Sequence, residues 1–154
     1  MIRLRAIKTA ITNKLKGKYP KYKVHFDNVE KSDAPYFYVE FMEQVNTWDE
    51  SYSDRTIQTD ISYIHPKDAY GRVSRAAVFD VADDLDLMFR PYLQIGDRYI
   101  TILGAEKTLV DDVLHFIFNL AFTDAWTAEE VGQIKYELGQ ELELNLKGGI
   151  NNGE

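Results

Sequence analysis

Residues 98–124, RYITILGAEKTLVDDVLHFIFNLAFTD, decide the fold that the sequence predicts. In the second half of this stretch, large apolar side chains stand at every second position: Leu114, Phe116, Phe118, Leu120 and Phe122. Such alternation is typical of a β-strand with one face in the core. The pair Asp111–Asp112 between two valines indicates a tight turn. We therefore expect two long strands folded back on each other, with the rest of the chain covering the aromatic face.

Two amphipathic helices are predicted, over residues 2–16 and 72–90, because apolar residues recur there at steps of three and four. The residues of these two stripes are Leu4, Ile7, Ile11 and Leu15 in the first helix, and Val73, Ala77, Val81, Leu85 and Met88 in the second. A short third helix over about 128–137 is predicted by the capping-box spacing of Thr127 and Glu130.

Alternating patterns predict strands over 22–26, 35–45 and 55–64, with residues 46–53 as a polar connection between the last two. A compact hairpin is expected around Gly96–Asp97, and a last strand over 142–146. Consecutive strands favour antiparallel pairing. The expected fold is therefore α+β, a mainly antiparallel sheet with the two principal helices packed on one face. We expect one domain over residues 1–147 and a disordered tail over 148–154.

Charge is distributed unevenly along the chain. Residues 1–26 hold eight Lys or Arg and no acidic residue, whereas residues 27–154 hold ten basic and 25 acidic residues, a net charge of −15. A basic start could contact nucleic acid or a membrane surface, or the acidic body of a neighbouring copy, or it could be a solvated helix face. Contacts between unlike surfaces generate rings or filaments.

The sequence offers no catalytic or metal-binding signature. It has no cysteine, which excludes disulfides and thiolate chemistry, and its three histidines have no metal-ligand spacing. His115, Asn119 and Thr123 share a strand face that could be a binding cluster or a solvated or interface face. Four acids of the second helix could form a cation site or a solvated or interface face: Asp80, Asp83, Asp84 and Asp86. No catalytic residue, cofactor or metal is expected, and no stretch is apolar enough for a membrane helix.

Protein contacts are the remaining function to consider. Exposed Trp often anchors such contacts, although a local packing role is an equal alternative for both tryptophans. The side chains that we expect at interfaces are Arg3, Arg5 and Lys8 of the basic start, Trp48 and Trp126 in loop or edge positions, and Asp111 and Asp112 at the turn.

Seven stretches in order resemble one known family, the small tail terminator, or tail completion, proteins of phages and prophage-like elements of Gram-positive bacteria. The stretches are MIRLRAIKTAITNKLK (1–16), APYFYVEFMEQV (34–45), RTIQTDISYIHP (55–66), AVFDVADDLDLMF (77–89), LQIGDRYITI (93–102), VDDVLHFIFNLAFTD (110–124) and ELELNL (141–146). The resemblance covers most of the chain and rests on pattern and order; residues 125–140 are its least familiar part.

The resemblance implies a structural protein without a cofactor, located in the virion tail and assembled in the host cytoplasm. It implies a homo-hexameric ring that caps the finished tail tube, contacts the tail tube protein and offers a surface to the head–tail connector. DNA would pass through the pore without specific binding. The alternatives are a head–tail connector or stopper, and a small ligand-binding or enzymatic α+β domain, which should show a deep pocket with convergent polar groups.

Overall fold

The computed structural model describes residues 1–27, 32–127, 129–130 and 132. Two long helices and seven strands are found in this described part. In chain order they are α1 (Leu4–Lys18), β1 (Lys23–His25), β2 (Tyr36–Thr47), β3 (Tyr52–Ile64), α2 (Arg75–Phe89), β4 (Tyr92–Ile95), β5 (Arg98–Thr101), β6 (Ala105–Val110) and β7 (Val113–Ala125).

The main sheet has five strands in the order β1-β2-β3-β7-β6, and β4 and β5 form a separate two-stranded sheet. The pairs β2–β3, β3–β7 and β6–β7 are all antiparallel. Tyr63 of β3 lies between Phe37 of β2 and Leu114 of β7, and directly opposed residues share a face. The fold is α+β with a mainly antiparallel sheet, as the sequence predicts.

One face of the main sheet carries the core. The alternating apolar residues of β7 lie against the buried stripes of both helices, so α1 and α2 share one hydrophobic cluster with the sheet. Its fully buried members include Ile7, Ile11, Leu15, Phe37, Ile57, Ile61, Leu85, Phe89, Phe116 and Leu120. Each such side chain contributes about 1.5–3 kcal/mol on transfer from water.

Three local structures that the sequence predicts are present: the Asp111–Asp112 turn, the turn at Gly96 and the Thr127–Glu130 capping box. Asp111 and Asp112 both adopt positive φ, 50° and 63°, which is the geometry of a two-residue hairpin turn matched to strand twist. Gly96 in the β4–β5 turn also has a positive φ, 61°. The predicted capping box is present, because the Thr127 amide donates to Glu130 Oε2 at 2.8 Å and the Glu130 amide donates to Thr127 Oγ1 at 3.2 Å.

Two predictions about strand pairing are wrong. β1 runs parallel to β2, not antiparallel, and the ten residues 26–35 between them are more than a two-residue hairpin turn needs. The stretch 98–124 is not one ribbon either: Arg98–Thr101 pairs with β4, and only β6 pairs with β7. The turn at Gly96 joins β5 to β4, so these two strands form a separate hairpin. The connection predicted over 46–53 is shorter than expected, because main-chain pairing continues to Thr47 and Ser53.

Two residues expected in the core are exposed. Leu4 is placed on the apolar stripe of α1, and Val45 on the apolar face of β2, yet both are largely open to solvent. Both lie at the margin of the core: Leu4 is the first residue of α1, and Val45 belongs to the last six residues of β2, all of which are exposed. The expected strand over 142–146, most of the helix over 128–137 and the tail over 148–154 lie outside the described residues.

Candidate functional site

The outer face of the main sheet brings one histidine close to a carboxylate and a hydroxyl. His115 Nδ1 lies 3.0 Å from Asp60 Oδ2 and 3.1 Å from Ser62 Oγ. A nucleophilic relay needs the two imidazole nitrogens to serve different partners, one the nucleophile and the other the carboxylate. Here the carboxylate and the hydroxyl share one nitrogen, so the three residues form a cross-strand hydrogen-bond cluster and not a relay. The other two residues predicted on this face, Asn119 and Thr123, lie farther along β7.

Asp60 and Ser62 are residues that sequence reasoning missed as partners of His115. The alternation of β3 places both on its polar face, which was a usable signal. Their proximity to His115 depends on the β3–β7 register, in which Ser62 stands opposite His115. Register across a non-local pairing cannot be read from alternation alone.

The four acids of α2 do not form a metal site. Lys107 Nζ lies 3.1 Å from Asp83 Oδ1 and 3.3 Å from Asp86 Oδ2, so a lysine of β6 holds the position that a cation would take. Tyr19 donates a hydrogen bond to Asp84. Among the described residues, no group of three or more His, Cys, Asp or Glu could hold a metal ion.

The charged side chains of the outer sheet face have one sign over its four antiparallel strands. Outward positions alternate with the core positions, and all residues of β2, β3, β7 and β6 are described. These positions hold four acids and no Lys or Arg: Glu40, Asp54, Asp60 and Glu106. Lys23 of the short β1, opposite Tyr36, lies beyond them. The face presents an acidic surface about 13 residues long in its longest strands.

The predicted interaction residues fall into two places in the fold. Arg3, Arg5 and Trp126 line an open cavity with a volume of about 580 Å³ beside Val45. Lys8 lines an adjoining cavity of about 640 Å³ between α1 and β2. Trp48 lies nearby at the exposed tip of the β2–β3 hairpin, where its indole N–H donates to Asp54 at 2.8 Å. Asp111 and Asp112 lie at the opposite end of the sheet, because Val113 pairs with Ile64 whereas Ala125 pairs with Tyr52.

The two adjoining cavities, lined by Arg5 and by Lys8, together form what we call the α1/β2 groove. Its apolar lining comes from Leu4, Phe26, Phe41 and Val45, and its basic lining from Arg5 and Lys8. Lys8 Nζ sits 4.8 Å from the centre of the Phe26 ring, a cation–π distance. The groove therefore has an apolar floor and basic side chains at its rim, and among the described residues its one acidic lining residue, Glu43, is paired with Arg55.

A buried network fixes the position of that rim. Arg55 Nη1 and the Ile2 amide both donate to Asp124 Oδ2 at 2.8 Å. Burial alone would raise the pKa of the Asp124 carboxyl, but these hydrogen bonds outweigh it and hold the pKa below its usual range. Arg3 Nη2 also lies 3.8 Å from Glu130, a residue of the capping box.

The two helices lie side by side on the core face and contact each other where Tyr19, at the end of α1, donates to Asp84 of α2, but each helix also reaches one lateral edge of the sheet. Contacts of Lys8 with Phe26, beside the end of β1, place α1 over the β1–β2 edge, whereas contacts of Lys107 with Asp83 place α2 over the β6 edge. α1 carries five basic residues and no acid, whereas α2 carries four acids and one arginine. The charge split along the sequence is therefore a charge split across the subunit.

The family model described as phage tail terminator protein matches residues 6–132, which include all but the first two residues of α1, all of α2 and the main sheet. A search of curated proteins finds no match. Neither long helix of the described part is both extended and apolar enough to cross a bilayer. Members of such a family are structural components of the virion tail that act in tail completion and contact other tail and head proteins. By the extent of this match, the chain belongs to the phage tail terminator protein family.

Proposed function

We propose that the protein caps the completed tail tube as a ring of copies and provides the surface that joins the tail to the head. The observation that carries the ring is the lateral charge split, with basic α1 toward the β1–β2 edge of the sheet and acidic α2 toward the β6 edge. Unlike edges can meet head to tail, and a heterologous contact whose rotation closes produces a ring. We take six copies as the closed form and one globular unit over residues 1–147 as the subunit.

The acidic outer sheet face is proposed as the wall of the pore. Four acids and no Lys or Arg face outward from β2, β3, β7 and β6. A wall of this sign repels phosphate and lets DNA pass without sticking. No membrane contact and no cofactor enters this function, and assembly takes place in the cytoplasm of the host bacterium.

Two ends of the subunit are proposed to meet the axial partners. The tip of the β2–β3 hairpin exposes Trp48 and Tyr52, with Trp126 joined to it by its amide, which donates to the Ser51 carbonyl at 2.9 Å. Exposed aromatic side chains anchor protein contacts. The Asp111–Asp112 turn stands at the other end. We assign the aromatic end to the tail tube protein and the acidic end to the head–tail connector.

The test is assembly with the tail tube protein. Purified protein is examined by mass photometry and negative-stain imaging, alone and with tail tubes, and we expect rings at one end of each tube. Monomers that never bind tube ends would overturn the proposal. Binding to the portal-side connector without binding to tubes would assign the chain to the neck of the virion instead.

The two proposed ends are tested separately. Trp48→Ala and Tyr52→Ala are expected to weaken tube binding, because each removes an exposed aromatic side chain from the tip. Tyr70→Ala is the matched control, since Tyr70 is also exposed but lies in the β3–α2 connection. Equal loss in all three variants would contradict the assignment of the tip to the tube.

A further inference from the structure

The outward side of α2 is unusual for a helix packed on a sheet. Phe79 and Leu87 are 56% and 81% exposed, although both are large and apolar. Asp83 lies between them at helical spacing, so the three side chains share one stripe with Asp80 beside it. Ala76 is exposed on the same side. We call these residues the α2 stripe: an apolar ridge with acidic side chains.

The α1/β2 groove has the complementary character. Its floor is apolar, from Leu4, Phe26, Phe41 and Val45, and Arg5 and Lys8 provide positive charge at its rim. The groove also borders a strand edge without a neighbour: among the described residues, β1 pairs with β2 only at Tyr36–Tyr38, and no strand covers that edge of β2 further on. Long uncovered edges are a liability that proteins cover with another element.

Position excludes contact between the stripe and the groove of the same subunit. Asp83 of the stripe reaches Lys107 of β6, the last strand on one side. Lys8 of the groove reaches Phe26, next to the strand on the other side. A ridge at one lateral edge and a matching groove at the other can meet only between copies.

We propose that the α2 stripe of one copy lies in the α1/β2 groove of the next. This rests on the proposed ring function and names the contact that would close the ring. Phe79 and Leu87 fill the apolar floor, while Asp80 and Asp83 face Arg5 and Lys8 of the neighbour. Apolar anchors contribute the affinity, and the charges set register and direction, since like charges placed together are unfavourable. The contact is heterologous, with every copy using both surfaces once.

The first test uses the absence of cysteine from the chain. Leu4→Cys and Leu87→Cys proteins are prepared separately, mixed with tail tubes and treated with a short bis-maleimide cross-linker. Both positions are exposed, so each variant should unfold at the wild-type temperature. We expect mixed dimers from the two proteins together and little product from either alone. Leu103→Cys, at an exposed apolar position outside both surfaces, is the control and should give no mixed dimer with Leu4→Cys.

The possible results distinguish failure of the proposed contact from failure of the proposed ring function. Rings on tube ends without a cross-link between positions 4 and 87 overturn the contact and leave the ring function standing. Dominant cross-links between two copies of Leu87→Cys overturn it in favour of a two-fold contact. No rings from the wild-type protein on tube ends, together with no cross-links between the variants, overturn both proposals.

Charge reversal gives a second test. Arg5→Glu with Lys8→Glu, or Asp80→Lys with Asp83→Lys, should each raise the concentration needed for ring assembly by at least about tenfold, because like charges then oppose each other. A protein carrying all four changes should regain assembly, since the two surfaces are again opposite in sign. Failure of the four-fold variant to recover, with its fold intact by circular dichroism, overturns the charge pairing.

Discussion

Arg55 and Asp124 form a buried ion pair that fixes the start of the chain to the sheet. Arg55 Nη1 lies 2.8 Å from Asp124 Oδ2, with side chains only 8% and 4% exposed. The Ile2 amide donates to the same carboxylate oxygen, and the Ile2 carbonyl accepts a hydrogen bond from the same guanidinium. Because Ile2 lies just before α1, this pair sets where the basic helix begins relative to β2 and so positions one wall of the groove.

Removal of the carboxylate should cost substantial stability. Asp124→Ala removes one partner of the buried Arg55 guanidinium. Breaking a buried ion pair in this way lowers the free energy of unfolding by about 3–5 kcal/mol. We expect the lower end, since Glu43 Oε1 still accepts from Arg55 Nε at 2.7 Å. Urea denaturation at pH 7 measures the free energy of unfolding.

The control is an exposed pair. Arg72 and Asp68 lie 3.3 Å apart with both side chains open to solvent, so Arg72→Ala should change stability by less than about 1 kcal/mol. If Asp124→Ala were as mild as Arg72→Ala, the network would not hold the N-terminus as described.

The same carboxylate should make stability depend on pH. The pKa of Asp124 is lowered in the folded protein, because hydrogen bonds from Arg55 and Ile2 outweigh the effect of burial. Its contribution is therefore fully present above the unfolded pKa of about 3.9 and is lost as pH falls below that value. The stability difference between wild type and Asp124→Asn should shrink from pH 5 to pH 2 or so. A difference that stays constant over this range would show that the ion pair is not what titrates.

The sequence predicts those parts of this fold that depend on near neighbours. Alternation over residues 113–122 places the core face of β7 correctly, and the Asp111–Asp112 turn and the Thr127–Glu130 capping box both form. Periodicity and turn chemistry are local properties, so one chain segment is enough to reveal them.

Non-local features could not be predicted in this way. Arg55 and Asp124 are 69 positions apart, and nothing in either local pattern links them. Leu4 and Val45 were assigned to the core by correct periodicity, yet they are exposed, because Leu4 begins α1 and Val45 lies in the exposed last part of β2. Phe79 and Leu87 lie off the buried stripe of α2 at a spacing of two turns. Their position was a usable signal for an outward ridge, but only the sheet order shows that the groove is at the opposite edge.

A β-branched residue in the Asp111–Asp112 turn should destabilise the folded protein. Asp112 has φ 63°, where Asp is tolerated and valine is not. We expect Asp112→Val to destabilise the protein by about 1–2 kcal/mol in thermal unfolding. Asp111→Asn keeps a residue suited to positive φ while it removes a charge, so it should be near neutral. Equal destabilisation by both variants would attribute the effect to charge and not to backbone geometry.

The acidic outer face should determine how rings interact with DNA. Glu40→Lys with Glu106→Lys replaces two exposed acids of this face by bases, and assembled rings of this variant should bind duplex DNA where wild-type rings do not. Fluorescence anisotropy over a salt series measures binding, which should weaken steeply with salt because lysine–phosphate contacts release counterions. Asp33→Lys with Asp97→Lys makes the same charge change outside the strands of this face and is the matched control. Equal DNA binding by the control rings would mean that net charge governs the interaction, and the outer face would then not line the path of the DNA.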